Sequence, residues 1–153
     1  MGKRIITQRR GRGSSTYRVS KKSFRYKLQF PSKLSVEAVV SKLVNSGAHT
    51  CPNAKISNKE GSFYVPACRN MYEGEKVSFE KEIKDGNILI LKDIPVKTKV
   101  YCIESNPRDG GKYIKSGGSN ATVNRIVGDS VYLTMPSKNE KKFSGECRAV
   151  IGV

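Results

Sequence analysis

Apolar positions in this chain fall into short runs separated by turn residues, and most runs alternate with period two. "KVSFEKE" places Val77 and Phe79 on one face, "VYLTM" sets Val131, Leu133 and Met135 against Tyr132 and Thr134, and "NILIL" is a brief unbroken run. Period two is strand geometry, because successive side chains leave a strand on opposite faces, and a short continuous run suits a buried strand. Turn signals lie between the runs at Asp85-Gly86, at "PSKNEK", and at Gly128-Asp129, which joins "RIV" to "SVYL" as a type II′ hairpin. Many short strands with polar turns predict an all-β chain of small barrels or a sandwich. The runs form two groups, about 34 to 83 and 87 to 153, divided by the acid-containing "EIKDG", so two barrels fit better than one.

One segment reads two ways. In "SVEAVVSKLVNSG" the residues Val36, Val39, Val40, Leu43 and Val44 recur at helical spacing, with Ser35 placed to cap the start and Gly47 to end it. Its richness in β-branched residues argues for a strand. Periodicity alone favours the helix.

Charge changes the picture more than composition does. The 153 residues carry 29 Lys and Arg against 13 acids, a formal charge of +16, which repels itself unless an anionic partner neutralises it. Nucleic acid is the leading partner; no run approaches the ~20 apolar residues of a spanning helix, and the basic N-terminus lacks the apolar middle of a signal peptide. From Met1 to Lys27 there are ten basic residues, no acid and only scattered apolar side chains, so this stretch reads as a basic arm that packs no core. Its arginines suit bidentate phosphate contacts, and Tyr17, Phe24 and Tyr26 offer stacking faces.

Catalytic and metal chemistry find little support. Cys51, Cys68, Cys102 and Cys147 are too widely spaced for a zinc knuckle, His49 is the lone histidine, and the thiols read as reduced and partly buried. The glycine-rich "PRDGGKYIKSGGSN" fails as a nucleotide loop: counting back from Lys112 puts Asn106 where the first glycine belongs, and Tyr113 stands where the metal-binding hydroxyl belongs. It fails as a dinucleotide loop because "NATVNRIV" after it reads as a strand. No nucleophile, base and orienting group come together, so the chain is not read as an enzyme and no cofactor or small-molecule substrate is expected. What remains is a basic excursion between strands, with Gly110, Gly111, Gly117 and Gly118 for backbone freedom and Arg108, Lys112 and Lys115 for charge.

Three stretches, "GKRIITQRRGRGSSTYR", "GNILILKDIPVKTKVYCIESNPRDGGKYIKSGG" and "GECRAVIGV", resemble the universal large-subunit ribosomal protein family L-two of archaeal and eukaryotic type, in order and over nearly the whole chain. The resemblance implies a basic arm (1–32), an OB-fold-like barrel (33–84) and an SH3-like barrel (85–153) that bind large-subunit ribosomal RNA beside neighbouring ribosomal proteins in the cytoplasm. It turns the ambiguous segment, Ser35 to Val44, into the first strand of the OB-like barrel. The RNA contacts expected are Arg4, Arg9, Arg10, Arg12, Arg18 and Arg25 in the arm; His49; Arg108, Gly110, Gly111, Lys112, Lys115, Gly117 and Gly118 in the loop; and Arg148 in the last motif. Two family arginines correspond here to His49 and Lys115, which removes the guanidinium fork at both places. The family's Gly- and His-rich extension after "IGV" is expected to be missing, so no role near the peptidyl-transferase centre is carried over. The alternative is a free-standing RNA-binding translation factor built from the same two barrels.

Overall fold

The structure, a computed structural model, describes all residues except 1, 3, 4, 34–36, 80 and 81, and only the backbone of Ile6 and Gln8. Ten strands form two antiparallel sheets. Strands β1 (Glu37–Val44), β2 (Asn53–Asn58), β3 (Gly61–Pro66) and β4 (Lys76–Ser78) make the first, in the order β3-β2-β1-β4. The second contains β5 (Ile88–Ile90), β6 (Lys99–Tyr101), β7 (Ala121–Val127), β8 (Ser130–Thr134), β9 (Glu140–Ser144) and β10 (Arg148–Ile151), ordered β5-β10-β6-β7-β8-β9. A helical turn at Ile6–Arg10 precedes both sheets.

The ambiguous segment is strand β1 from Glu37 onward, while Ser35 and Val36 lie outside the described residues. Its misleading period has a local cause. Pairing with β2 shifts between Val40 and Lys42, leaving Ser41 as an extra residue whose hydroxyl donates to the Lys55 carbonyl at 3.0 Å. Ala38 and Val40 point into the core at period two, and after the bulge Leu43 packs on that core three residues further on. A bulge therefore converts a strand's alternation into an i, i+3 spacing that imitates a helix. The Gly128-Asp129 hairpin behaves as the turn signal predicts: Val127 faces Ser130 across a two-residue loop, and Gly128 alone of the pair takes a positive φ, 56°.

Two apolar cores share one wall. On β5 Ile88 points into the first core and Leu89 into the second; on β10 Val150 faces the first while Ala149 and Ile151 face the second; on β6 Tyr101 and Val100 divide the same way. The first sheet thus closes its barrel on strands of the second. The arm's end completes the seam: Leu28 bridges Tyr64 in parallel, Gln29 N–H donates to the Tyr64 carbonyl at 3.1 Å, and Phe30 is buried in the first core.

A shared wall couples the two cores. Ile56→Ala in the first core and Leu133→Ala in the second should each cost about 2–5 kcal/mol and should lower a single common urea transition followed by circular dichroism. Two separate transitions, one moved by each substitution, would show that the wall does not couple them.

Candidate nucleic-acid interface

Where wall, glycine loop and arm meet lies a buried carboxylate. Glu104, fully buried just after β6, accepts the backbone N–H of Arg108 at 3.2 Å, of Gly110 at 3.1 Å and of Arg148 at 2.8 Å, and pairs with the Arg148 guanidinium through Nε at 3.0 Å. Arg148 Nη1 donates to the Pro31 carbonyl at 2.9 Å, and the guanidinium lies over the Phe30 ring. Arg148, expected among the RNA contacts, is instead committed inside the protein: Nε and Nη2 hold Glu104, which in turn holds the loop amides, and Nη1 holds the arm's end.

The loop between β6 and β7 is folded on itself. Ile103 pairs with Tyr113, and Cys102, Arg108 and Ile114 all take positive φ. For a β-branched residue such as Ile114 that backbone is strained. Asp109 staples the turn, accepting N–H groups from Ser105 at 3.0 Å, Asn106 at 3.1 Å and Gly111 at 3.1 Å, with Lys112 Nζ at 3.5 Å. Burial would raise the Asp109 pKa, but the three amides and Lys112 outweigh it and hold the carboxyl below its ordinary range.

Three of the four glycines serve packing. A Cβ at Gly110 would stand 2.2 Å from Gln29 Cγ, one at Gly111 would stand 3.0 Å from the Cys102 carbonyl, and one at Gly117 would stand 2.9 Å from the Thr50 carbonyl. Gly118, at φ +72°, meets nothing. Close backbone approach is therefore to the protein's own chain at the first three. Lys115 Nζ donates to the Leu28 carbonyl at 2.9 Å, and Gly117 N–H donates to Thr50 Oγ1 at 2.8 Å. These bonds bring the loop against the arm's end and the β1–β2 connection.

Between these three segments opens a cleft of about 790 Å³, lined by residues 24–29, 48–50, 109, 111, 112, 115 and 116. It gathers Arg25, His49, Lys112 and Lys115 from the sequence expectation and adds Lys27 and Thr50, which that reading did not single out. Lys27 was visible as one charge in the basic run; Thr50 carried no signal. Lys112 keeps its ammonium in water, its side chain 62% exposed. His49 is pushed toward the neutral form, first by burial and then by Lys115, and its ring meets the edge of Phe24 at 5.3 Å. Arg108 faces a second cleft, beside Lys92, Phe79 and Ser32. Arg9 and Arg12 line a shallow recess with Tyr17 in the arm, and Arg10 and Arg18 are exposed there, whereas Arg4 lies outside the described residues. Another cation, Lys141, sits 4.0 Å over the Tyr113 ring.

Thiol and metal chemistry gain nothing from the geometry. All four cysteines are free thiols, and burial pushes Cys68 and Cys147 up to about 11 and Cys102 to about 12. Among the described residues no group of three or more His, Cys, Asp or Glu side chains converges, and no helix is long and apolar enough to cross a membrane.

Over its full length the chain is 40% identical to large ribosomal subunit protein uL2 of Archaeoglobus fulgidus, covering 67% of that protein, and 33% identical to uL2 of Methanothermobacter thermautotrophicus, again covering 67%. It belongs to the uL2 family. The family model for Ribosomal Proteins L2, C-terminal domain, matches residues 84–153, which contain the second sheet. The chain spans about two thirds of the length of the curated relatives it matches. In uL2 terms the two sheets are those of an OB-like barrel followed by an SH3-like barrel, and the interface cleft runs along the seam between them.

Removing one half of the buried pair should be worse than neutralising both. Arg148→Met leaves the Glu104 carboxylate buried without a counter-charge, at a cost of about 3–5 kcal/mol, and adding Glu104→Gln should recover more than half of it. A double variant less stable than the single one in urea would refute the pairing. Asp109 sets a pH signature: its lowered pKa contributes stability that is fully present above the ordinary 3.8 and is lost as pH falls through the lower folded value. The amide resonances of Ser105, Asn106 and Gly111 should hold steady from about pH 7 to 5 and move together only in stronger acid; a common midpoint near neutrality would exclude this role.

Proposed function

We propose that this chain is a structural constituent of the large ribosomal subunit that binds large-subunit ribosomal RNA through the seam between its barrels. The observation that carries the reading is the cleft itself, where Arg25, Lys27, Lys112 and Lys115 from distant parts of the chain face one space with a single carboxylate, Asp109, turned to the loop's own amides. The uL2 relatives are large ribosomal subunit proteins by name, which favours a stable constituent over a free-standing translation factor. Residues 1–32 act as a basic arm, 33–84 and 85–153 as the two barrels, with Arg9, Arg10, Arg12 and Arg18 meeting phosphates along the arm. The protein performs no chemistry, requires no cofactor, and works in the cytoplasm beside other ribosomal proteins.

Lys115 is tied to the Leu28 carbonyl, so reversing its charge would also disturb the seam. Arg25 and Lys112 are exposed and give a cleaner test. Arg25→Glu with Lys112→Glu should leave urea stability within about 1 kcal/mol and weaken binding to large-subunit RNA at least tenfold. For the unmodified chain, affinity should fall by about three to five decades between 50 and 200 mM salt if six to ten phosphates are met. Unchanged affinity in the double variant, or a protein found only outside purified large subunits, would defeat the proposal.

A further inference from the structure

Resting on the RNA reading above, we infer that the Phe24–His49 part of the cleft takes an unpaired nucleotide whose base stacks there and is read by hydrogen bonding, rather than a stretch of duplex backbone.

The cleft offers two kinds of group. Arg25, Lys27, Lys112 and Lys115 are cations suited to phosphate. Phe24, Tyr26 and His49 are rings on the arm and the β1–β2 connection. Phe24 is 49% exposed although its backbone is held, Ser23 accepting bonds through its carbonyl from Ser46 Oγ at 2.9 Å and from Ala48 N–H at 3.3 Å. An apolar ring fixed in the wall of a cationic cleft gains nothing from a phosphate and much from a base face. Tyr26, stacked on Tyr64 at 4.7 Å, extends the same aromatic wall.

His49 completes the argument. Its ring meets Phe24 edge to face, so its orientation is set. Arg25, Lys27, Lys112 and Lys115 share its cleft with one carboxylate, Asp109; partial burial first, and then the Lys115 charge, disfavour the imidazolium. A neutral imidazole is a poor phosphate ligand and a good partner for a base edge or a ribose hydroxyl. Its Nδ1 is buried with no hydrogen-bond partner among the described residues; no such bond pins the tautomer, so the ring can either donate or accept. In a duplex the base faces are stacked away from protein, whereas an unpaired nucleotide brings base face, base edge and phosphates together. That combination matches rings and cations that face one cleft.

The test compares two synthetic RNAs, a blunt duplex of roughly 16 base pairs and the same duplex with one bulged nucleotide, by fluorescence anisotropy over a range of salt. The bulged RNA should bind about tenfold tighter. Phe24→Leu and His49→Ala should each abolish most of that preference while leaving blunt-duplex affinity and the salt slope as they were. His49→Arg should steepen the slope by about 0.7–0.9, one added phosphate contact. Equal binding of the two RNAs by the unmodified protein would overturn this inference while leaving the RNA reading in place, provided large-subunit RNA is still bound. A shallower slope in His49→Ala, by one full contact, would equally overturn it, because the imidazole would then be a cation on a phosphate. Failure to bind any of the three RNAs would overturn the RNA reading itself. Both positions lie at the surface of the seam, and urea midpoints of the two variants close to that of the parent assign any lost preference to the cleft.

Discussion

Glu104 has no solvent exposure, and what surrounds it decides how the molecule is joined. A buried carboxylate is costly unless its charge is met and its lone pairs are filled. Here Arg148 supplies the charge from β10, while amides of Arg108 and Gly110 fill the remaining acceptor sites from the glycine loop. Because the guanidinium is a rigid fork, its free end points in a fixed direction, and that direction is the Pro31 carbonyl. One ion pair therefore sets the relative position of the wall, the loop and the arm's end. An apolar pair of equal volume could fill the same space, yet it would fix none of these three directions. The pair's value lies in specificity more than in net stability.

The same economy explains the wall. Strands β5, β10 and β6 are covered on both faces, so their sequences, "ILI", "RAVI" and "KVY", lack the alternation of β1 or β8. A half-barrel of four strands with β4 only three residues long leaves its core open on one side. Val150, Ile88 and Tyr101 close it, and the Tyr101 hydroxyl, buried among thiols and aliphatic groups, donates back to the Pro66 carbonyl of β3 at 3.1 Å. Packing and hydrogen bonding thus cross the seam together.

Much of this is legible in the sequence, and the exceptions have physical reasons. Strands with clean alternation and the two-residue hairpin at Gly128 follow directly from the pattern, because local chemistry decides them. The helical period of β1 misleads because a bulge at Ser41 is set by pairing with β2, which no single segment encodes. Arg148 reads as a surface contact because arginine usually is one; its burial depends on Glu104, forty-four residues away in the chain. The four loop glycines read as points of backbone freedom, and three of them are points of close approach. What sequence could not say is that Gly110, Gly111 and Gly117 approach Gln29, Cys102 and Thr50 of the same molecule.

That inward use of the glycines reshapes how the loop can serve a polyanion. A loop whose backbone is consumed by its own contacts presents side chains, and Lys112 sends its ammonium into water. Lys115 donates to Leu28, and Asp109 is spent on amides. The loop's positive-φ backbone at Cys102, Arg108 and Ile114 is held by its own bonds: the Cys102 N–H donates to the Ile114 carbonyl at 2.8 Å and the Arg108 N–H to Glu104 at 3.2 Å. The cleft is in part preorganised: Lys115 is held by the Leu28 carbonyl, and the Phe24 and Tyr26 rings pack on His49 and Tyr64, so those groups lose little further ordering entropy on binding. For a chain carrying +16, the repulsion between Arg25, Lys27, Lys112 and Lys115 across that space is stored in the folded state. An anionic partner would relieve it, while the Glu104–Arg148 pair fixes the loop and the arm's end to the wall against that repulsion.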